Sequence, residues 1–243
     1  MLFRSIRSTG VAFSTSPAEQ GPSTGRCFIY VTPDGERTMN TYLGASSYLA
    51  PADVDEALVK SAKVVYLEGY MWDRPAAKAA FQKAGEIARG ANSRVALTLS
   101  DSFCVDRFRG EFIELMRSGT VDTIFANTDE VLSLYQTPDF KEALDNLRAE
   151  GVLGFVTRSE KGCIVIDGDQ TWEVPAFSIA KLVDTTGAGD MFAAGVLAGL
   201  ARGRDMTTCG RLGVLAAAEI IQHIGARPNV SLAGLAKENG VTV

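Results

Sequence analysis

The sequence predicts an α/β protein in which a mainly parallel central sheet carries helices on both faces, with a small β hairpin projecting ahead of it. Three observations predict this. From Pro51 onward, short apolar runs alternate with longer amphipathic stretches, the pattern of repeated βα units. Before Pro51, two β-prone runs flank an Asp-Gly turn. In the last third, a glycine loop opens directly into a run of small apolar residues, Met191 to Leu200, as a buried helix requires.

Arg4 to Phe13 reads as the end of a helix that turns at Gly10 into a strand starting with Val11-Ala12-Phe13. The first ten residues also hold Arg4, Arg7, Ser5 and Ser8 without an acid, a composition shared with transit peptides. Residues 14–26 are rich in Ser, Thr, Pro and Gly and are predicted as a loop. Residues 27–31 and 37–43 read as strands joined through Thr32-Pro33-Asp34-Gly35-Glu36, which places the hairpin at about 26–47. Helices are then predicted over 52–61 (with Asp53 near its start), 75–89, 106–117 and 139–150. Strands are predicted over 63–70, 94–100, 123–126 and 153–157. Residues 162–174 read as a second hairpin and 177–183 as a strand leading into the glycine loop. A helix over 210–224 is stopped by Gly225 and Pro228. The whole of 1–243 fits one domain, with ligands expected at the carboxyl ends of the parallel strands.

A chain of 243 residues with 46% hydrophobic content can bury one substantial core. The net charge of −5, with Lys and Arg scattered, gives no basic surface for nucleic acid. Cys27, Cys104, Cys163 and Cys209 are far apart, so neither a zinc site nor a disulfide framework is predicted, and a cytoplasmic location is expected. No apolar run reaches the length of a membrane span.

The glycine loop reads Asp184-Thr185-Thr186-Gly187-Ala188-Gly189-Asp190. Gly187, Ala188 and Gly189 carry almost no side chain, so their N–H groups can converge on an anion at the positive end of the helix. An acid beside such a nest would be repelled by a bound phosphate. Its useful role is to accept a proton from a hydroxyl that attacks the phosphate, which assigns Asp190 as a base. No Gly-Lys-Ser/Thr follows, so this is not a Walker A loop, and Phe192 stands where a dinucleotide fingerprint has its third glycine.

At these residues the chain resembles the ribokinase-like, PfkB-type carbohydrate kinases, whose C-terminal signature reads as an acid, Thr, any residue, Gly-Ala-Gly-Asp and a small-residue helix. The resemblance implies a ribokinase-like fold, Asp190 as catalytic base, and Gly187, Ala188 and Gly189 as an anion hole. It implies that residues 26–47 form a lid over the substrate, which also offers a surface for a homodimer. Arg37 and Asn40 on the returning strand become substrate candidates, with a solvated strand face as the alternative for each.

Asn127-Thr128-Asp129-Glu130 matches the N-x-x-E element that organises Mg²⁺ and phosphate in such kinases, largely through water. An Asn with Glu three residues on is also an ordinary capping box. Thr157-Arg158-Ser159-Glu160-Lys161-Gly162 is similar to the family's Thr-x-Gly-x-x-Gly nucleotide loop, with Ser159 where Gly is usual. Asp184, Thr186 and the loop at Gly225-Ala226 correspond to a monovalent-cation site, K⁺ in those members that use one. His223, the only histidine, is either a helix-end residue or an adenine contact. Glu68, Gly69, Trp72, Ser100 and Asp101 follow strands on the ligand side and are further substrate candidates, Trp72 by stacking or simply as packing.

These readings imply transfer of a phosphoryl group from ATP to a hydroxyl of a small-molecule nucleoside or sugar. The wording "YLEGYMWD", "TLSDSFCVDRFR" and "AAEIIQHIGARP" is similar to adenosine-kinase-like members. Adenosine is the first expected acceptor, and a free sugar such as ribose or fructose the second. Members of this family carry a Gly-Gly-x-x-x-Asn-like sugar-binding element early in the chain. No Gly-Gly pair occurs here, so an N-terminally shortened member is expected, and a catalytically impaired nucleotide-binding fragment is the rival reading.

Overall fold

A computed structural model of the chain describes residues 6–243. Arg4 and Ser5 therefore lie outside the described residues. The helical turn over 6–8 ends at Thr9 and Gly10, but Val11-Ala12-Phe13 forms no strand. The Arg7 guanidinium instead caps the Phe13 carbonyl.

β1 (Thr24–Val31) and β2 (Arg37–Gly44) form the expected antiparallel hairpin. Both of its faces are largely exposed, and it stands apart from the main sheet as its own two-stranded sheet. The main sheet has six strands in simple sequence order: β3 (Val64–Glu68), β4 (Arg94–Thr98), β5 (Thr123–Asn127), β6 (Leu153–Thr157), β7 (Cys163–Asp167) and β8 (Gln170–Val174). The pairs from β3 to β6 are parallel, and β6, β7 and β8 pair antiparallel.

The helices are α1 (Glu56–Ser61), α2 (Pro75–Gly90), α3 (Ser102–Arg117), α4 (Thr128–Tyr135), α5 (Phe140–Ala149), α6 (Ala188–Leu200), α7 (Met206–Ile220) and α8 (Leu232–Glu238). Alternation along the strands sends side chains to two separate cores. Val95, Leu97, Ile124 and Val156 pack on one face against Phe81, Phe112, Leu134 and Leu147 from α2 to α5. Ala96, Phe125, Phe155 and Val165 pack on the other against Phe192, Val196 and Val214 from α6 and α7. The small residues of α6 serve that second layer: a Cβ at Gly195 would lie 2.3 Å from the Leu212 carbonyl oxygen, so glycine lets α6 and α7 touch backbone to backbone.

Four expectations are corrected. Residues 177–183 form no strand, because their N–H groups go elsewhere: Ala180 to the Gln222 side chain and Val183 to the Ile221 carbonyl. The first helix starts later than 52, after a short 3₁₀ turn, and is capped by Asp55 and not Asp53. α3 starts at Ser102, four residues ahead of its expected start, capped by Asp101. Asp205 likewise caps α7, which ends at Ile220, so His223 lies in the turn beyond the helix. Among the described residues, no helix is long and apolar enough to cross a membrane.

Candidate active site

β3 to β6 run parallel, so their carboxyl ends share one edge of the sheet. Glu68 at the end of β3 lies within reach of the charge of Asp190 at the N-terminus of α6. Gly187 caps α6 in the left-handed region at φ 80°, a conformation glycine adopts without cost. A Cβ at Gly187 would also lie 2.8 Å from that of Ala226. Of the three expected anion-hole amides, that of Ala188 is spent on the Thr185 carbonyl at 3.2 Å. The amides of Gly187, Gly189 and Asp190 have no protein acceptor, and nothing lies within 4 Å of where a Gly189 Cβ would stand. The Asp190 carboxyl is exposed beside them, in the first turn of a 13-residue helix. The structure thus offers free donors at a helix N-terminus next to a free carboxylate.

Asp184 is 2% exposed and links two loops. Its Oδ1 accepts from Thr186 N (2.8 Å) and its Oδ2 from Gly225 N (2.9 Å). Burial works against its charge, but the hydrogen bonds from Thr186 and Gly225 outweigh it and hold its pKa below the ordinary carboxylate value.

The lid reaches the same loop. Arg37 Nη1 donates to Thr185 Oγ1 at 2.8 Å, and Thr185 donates through N and Oγ1 to the Gly35 carbonyl. Asn40, three residues along β2, projects from the opposite face of the hairpin, on the side of Phe28, Tyr30 and Tyr42. The two lid candidates are therefore not brought together.

On β3, Val64, Tyr66 and Glu68 share the face covered by α6. The Tyr66 ring meets Phe125, which in turn meets Phe192 beside Asp190. Glu68 ends this row. Burial, and secondly the charge of Asp190, push the Glu68 carboxyl up to about 7. Burial, and then the Glu68 and Asp190 charges, push the neighbouring Tyr70 up to about 12. Gly69 is fixed by close packing, since a Cβ there would lie 2.6 Å from the Thr98 carbonyl oxygen.

Asn127 and Glu130 form the complete capping box of α4. Glu130 Oε2 accepts from Asn127 N (2.9 Å) and Oε1 from Asn127 Nδ2 (2.8 Å). Burial raises the Glu130 carboxyl to about 7, against the opposing hydrogen bond from the Asn127 amide. With both oxygens engaged, Glu130 suits contact with a metal ion only through water. No group of three His, Cys, Asp or Glu side chains forms a metal cage among the described residues. The exposed Asn127 at the carboxyl end of β5, with Glu130 behind it, suits Mg²⁺, which keeps water and phosphate ligands.

The Thr157 hydroxyl rests on the Ala126 carbonyl at 3.4 Å. Ser159 has a positive φ of 50°, which explains why glycine suits that place in the loop. Gly162 closes the turn, its N donating to the Ser159 carbonyl at 3.1 Å. His223 sits against α7, its Nε2 at 3.2 Å from Glu219 Oε1. Trp72 is 2% exposed, packed between Phe81 and Phe112 with its Nε1–H on Glu111, so it is a core residue and offers no stacking face. Ser100 receives the Tyr70 amide, and Asp101 caps α3.

Sequence reasoning missed Tyr70 and Phe103, which follow the adjacent strands β3 and β4 and are 43% and 69% exposed. Their position just past the strand ends was the available signal.

The chain as a whole has known relatives. A model of the pfkB family carbohydrate kinases matches residues 1–232. The chain belongs to the pfkB family of carbohydrate kinases. A solved structure, a probable sugar kinase protein from Rhizobium etli CFN 42, is 51% identical with a TM-score of 0.97, covering 99% of this chain and 73% of its own. Adenosine kinase from Sinorhizobium meliloti is also 51% identical, with a TM-score of 0.95 over 98% of this chain and 72% of its own. Adenosine kinase of Saccharomyces cerevisiae is 30% identical over 83% of this chain, which spans 62% of that enzyme. A cytidine kinase of Thermococcus kodakarensis is 42% identical over 43% of this chain and is matched over 38% of its length.

Proposed function

We propose that this pfkB-family chain transfers the γ-phosphoryl group of ATP to a hydroxyl of adenosine. The observation that carries the reading is the exposed Asp190 carboxylate beside the unpartnered amides of Gly187 and Gly189 at the N-terminus of α6.

The chemistry follows from that arrangement. Asp190 takes the proton of the acceptor hydroxyl as its oxygen bonds to the γ-phosphorus, the bond to the β–γ bridging oxygen breaks, and ADP leaves. The amides of Gly187 and Gly189 donate to the oxygens of the transferring group, where negative charge is greatest. Arg37, held at the same loop, adds a positive charge from the lid and excludes water when the hairpin covers the acceptor. Thr157, Ser159, Gly162, Thr186 and His223 lie along the nucleotide's path. Asn127 and Glu130 would hold Mg²⁺ through water, and the ion would supply charge neutralisation to the phosphates. Asp184 and the carbonyls around Gly225 form the place for K⁺. Gly69 remains an acceptor-side position, whereas Asn40 lies on the outer face of the hairpin, away from Arg37.

Adenosine is preferred because Tyr70 and Phe103 present aromatic surface on the acceptor side, suited to a base more than to a free sugar. The S. meliloti and yeast adenosine kinases support the same choice. The R. etli likeness supports a sugar acceptor as the second reading. The outer face of the hairpin, with Phe28, Tyr30 and Tyr42 exposed, suits a homodimer through the lid.

An ADP-release assay over adenosine, cytidine, ribose and fructose tests the assignment. Adenosine should give the highest kcat/KM. A higher value for a free sugar replaces the acceptor, and no ADP release with any of them, with ATP binding retained, replaces the enzyme with a nucleotide-binding protein.

A further inference from the structure

The proposed mechanism uses Asp184, Gly187 and Asp190 but not a buried acid on the neighbouring helix. Glu219 lies in the last turn of α7 and is 8% exposed. Its Oε1 receives both His223 Nε2 (3.2 Å) and the backbone N–H of Asn229 (2.9 Å). Its Oε2 and His223 Nδ1 are buried with no hydrogen-bond partner. A carboxylate placed there costs desolvation that a leucine would avoid, so its position calls for a role beyond packing.

That role follows from what residues 221–229 do. The segment leaves α7 with the Ile221 carbonyl accepting from Val183 N at 2.9 Å. Midway, Gly225 N is held by Asp184 at 2.9 Å, and Ala226 packs against Gly187, leaving no room for a Cβ. It returns to α7 at Asn229, where Glu219 ties it down. The segment therefore braces the back of the amide cradle, and Glu219 holds the far end of the brace.

We propose that Glu219, acting through His223 and Asn229, is a positioning residue for the nucleotide phosphates: it keeps residues 221–229 closed against Gly187 so that the free amides stay aimed at one point. The ligand named here rests on the phosphotransfer reading; the bracing itself does not. Glu219 touches no substrate. Its loss should weaken ATP binding and leave the acceptor untouched, because the brace backs only the phosphate cradle.

The test compares wild type with Glu219→Ala, Glu219→Gln and His223→Leu in the full chain, measuring steady-state kinetics and amide hydrogen exchange. Glu219→Ala should raise KM for Mg·ATP about tenfold with the acceptor KM unchanged, and should speed exchange at Gly225–Asn229 and Gly187–Gly189 while the interior of α7 stays protected. Glu219→Gln keeps an acceptor oxygen and should recover most of both effects. His223→Leu removes one donor without altering α7 and should give a smaller rise in exchange at Gly187–Gly189 in the nucleotide-free chain, a readout that a direct nucleotide contact by His223 would not move and that decides the matter if Glu219→Ala does not fold. Unchanged KM for ATP together with unchanged exchange at Gly187–Gly189 overturns the inference, whatever happens to Tm. If wild type shows no turnover, the phosphotransfer reading fails, and exchange at Gly187–Gly189 alone decides whether Glu219 braces the cradle.

Discussion

Arg37 and Thr185, 148 residues apart in the chain, meet through a 2.8 Å hydrogen bond that joins the lid hairpin to the loop before Asp190. The Thr185 hydroxyl receives Arg37 and donates to the Gly35 carbonyl, so one side chain fastens both the strand and its turn. Thr185→Val keeps the shape and removes both bonds. We expect faster amide exchange across 32–37 and a kcat lowered by about tenfold, equivalent to roughly 1.4 kcal/mol. Unchanged exchange in the hairpin would show that it is held by other contacts.

Glu68 gives a pH-dependent stability. Burial, with Asp190 adding to it, raises its folded-state pKa to about 7 from an ordinary value of 4.5. Below 4.5 the group is protonated folded or unfolded. Between 4.5 and 7 the unfolded chain releases the proton and the folded chain keeps it, so the stability it contributes is lost as pH rises through 7. Glu68→Gln carries no such loss. Its Tm relative to wild type should climb between pH 5 and pH 8, whereas a constant offset would contradict the raised value.

Ser159 holds a left-handed backbone at φ 50° in the loop between β6 and β7. Ser159→Gly removes that strain but adds freedom to the unfolded chain, and the balance should favour the variant by about 0.5 kcal/mol. Chemical denaturation measures it. A loss of stability would mean that the serine side chain holds the loop.

Trp72 separates packing from recognition. Trp72→Phe leaves space between Phe81 and Phe112 and removes the bond to Glu111. The cost should be about 1–3 kcal/mol. Acceptor KM should not move, and an increase would restore Trp72 to the binding surface.

The parts of the site made from backbone were the most legible in the sequence. Gly187 and Gly189 are required by a left-handed turn and an open approach, and Asp190 follows them directly, so composition and spacing carry the geometry. The layered fold was legible from strand alternation and from the small residues of α6. Residues 177–183 misled because apolar alternation marks any extended segment with one buried side, and only the partners of its N–H groups, supplied by the end of α7, distinguish it from a strand. Asp101 and Asp205 were missed as caps because each precedes a first turn whose apolar spacing is weak. Arg37 and Asn40 each read as substrate candidates, but a spacing of three sends them to opposite faces of a strand. Glu219 left no signal, since its partner at Asn229 comes from a turn that no local pattern announces.

The central claim is that Asp190 is the proton acceptor, and Asp190→Asn tests it most directly. Turnover and ATP affinity should be measured on the same preparation, by ADP release and by titration calorimetry. The variant should lose roughly 10²–10⁴-fold in kcat, the range general-base catalysis supplies, while ATP binds as tightly as before. Retention of more than a few per cent of wild-type turnover would contradict the assignment.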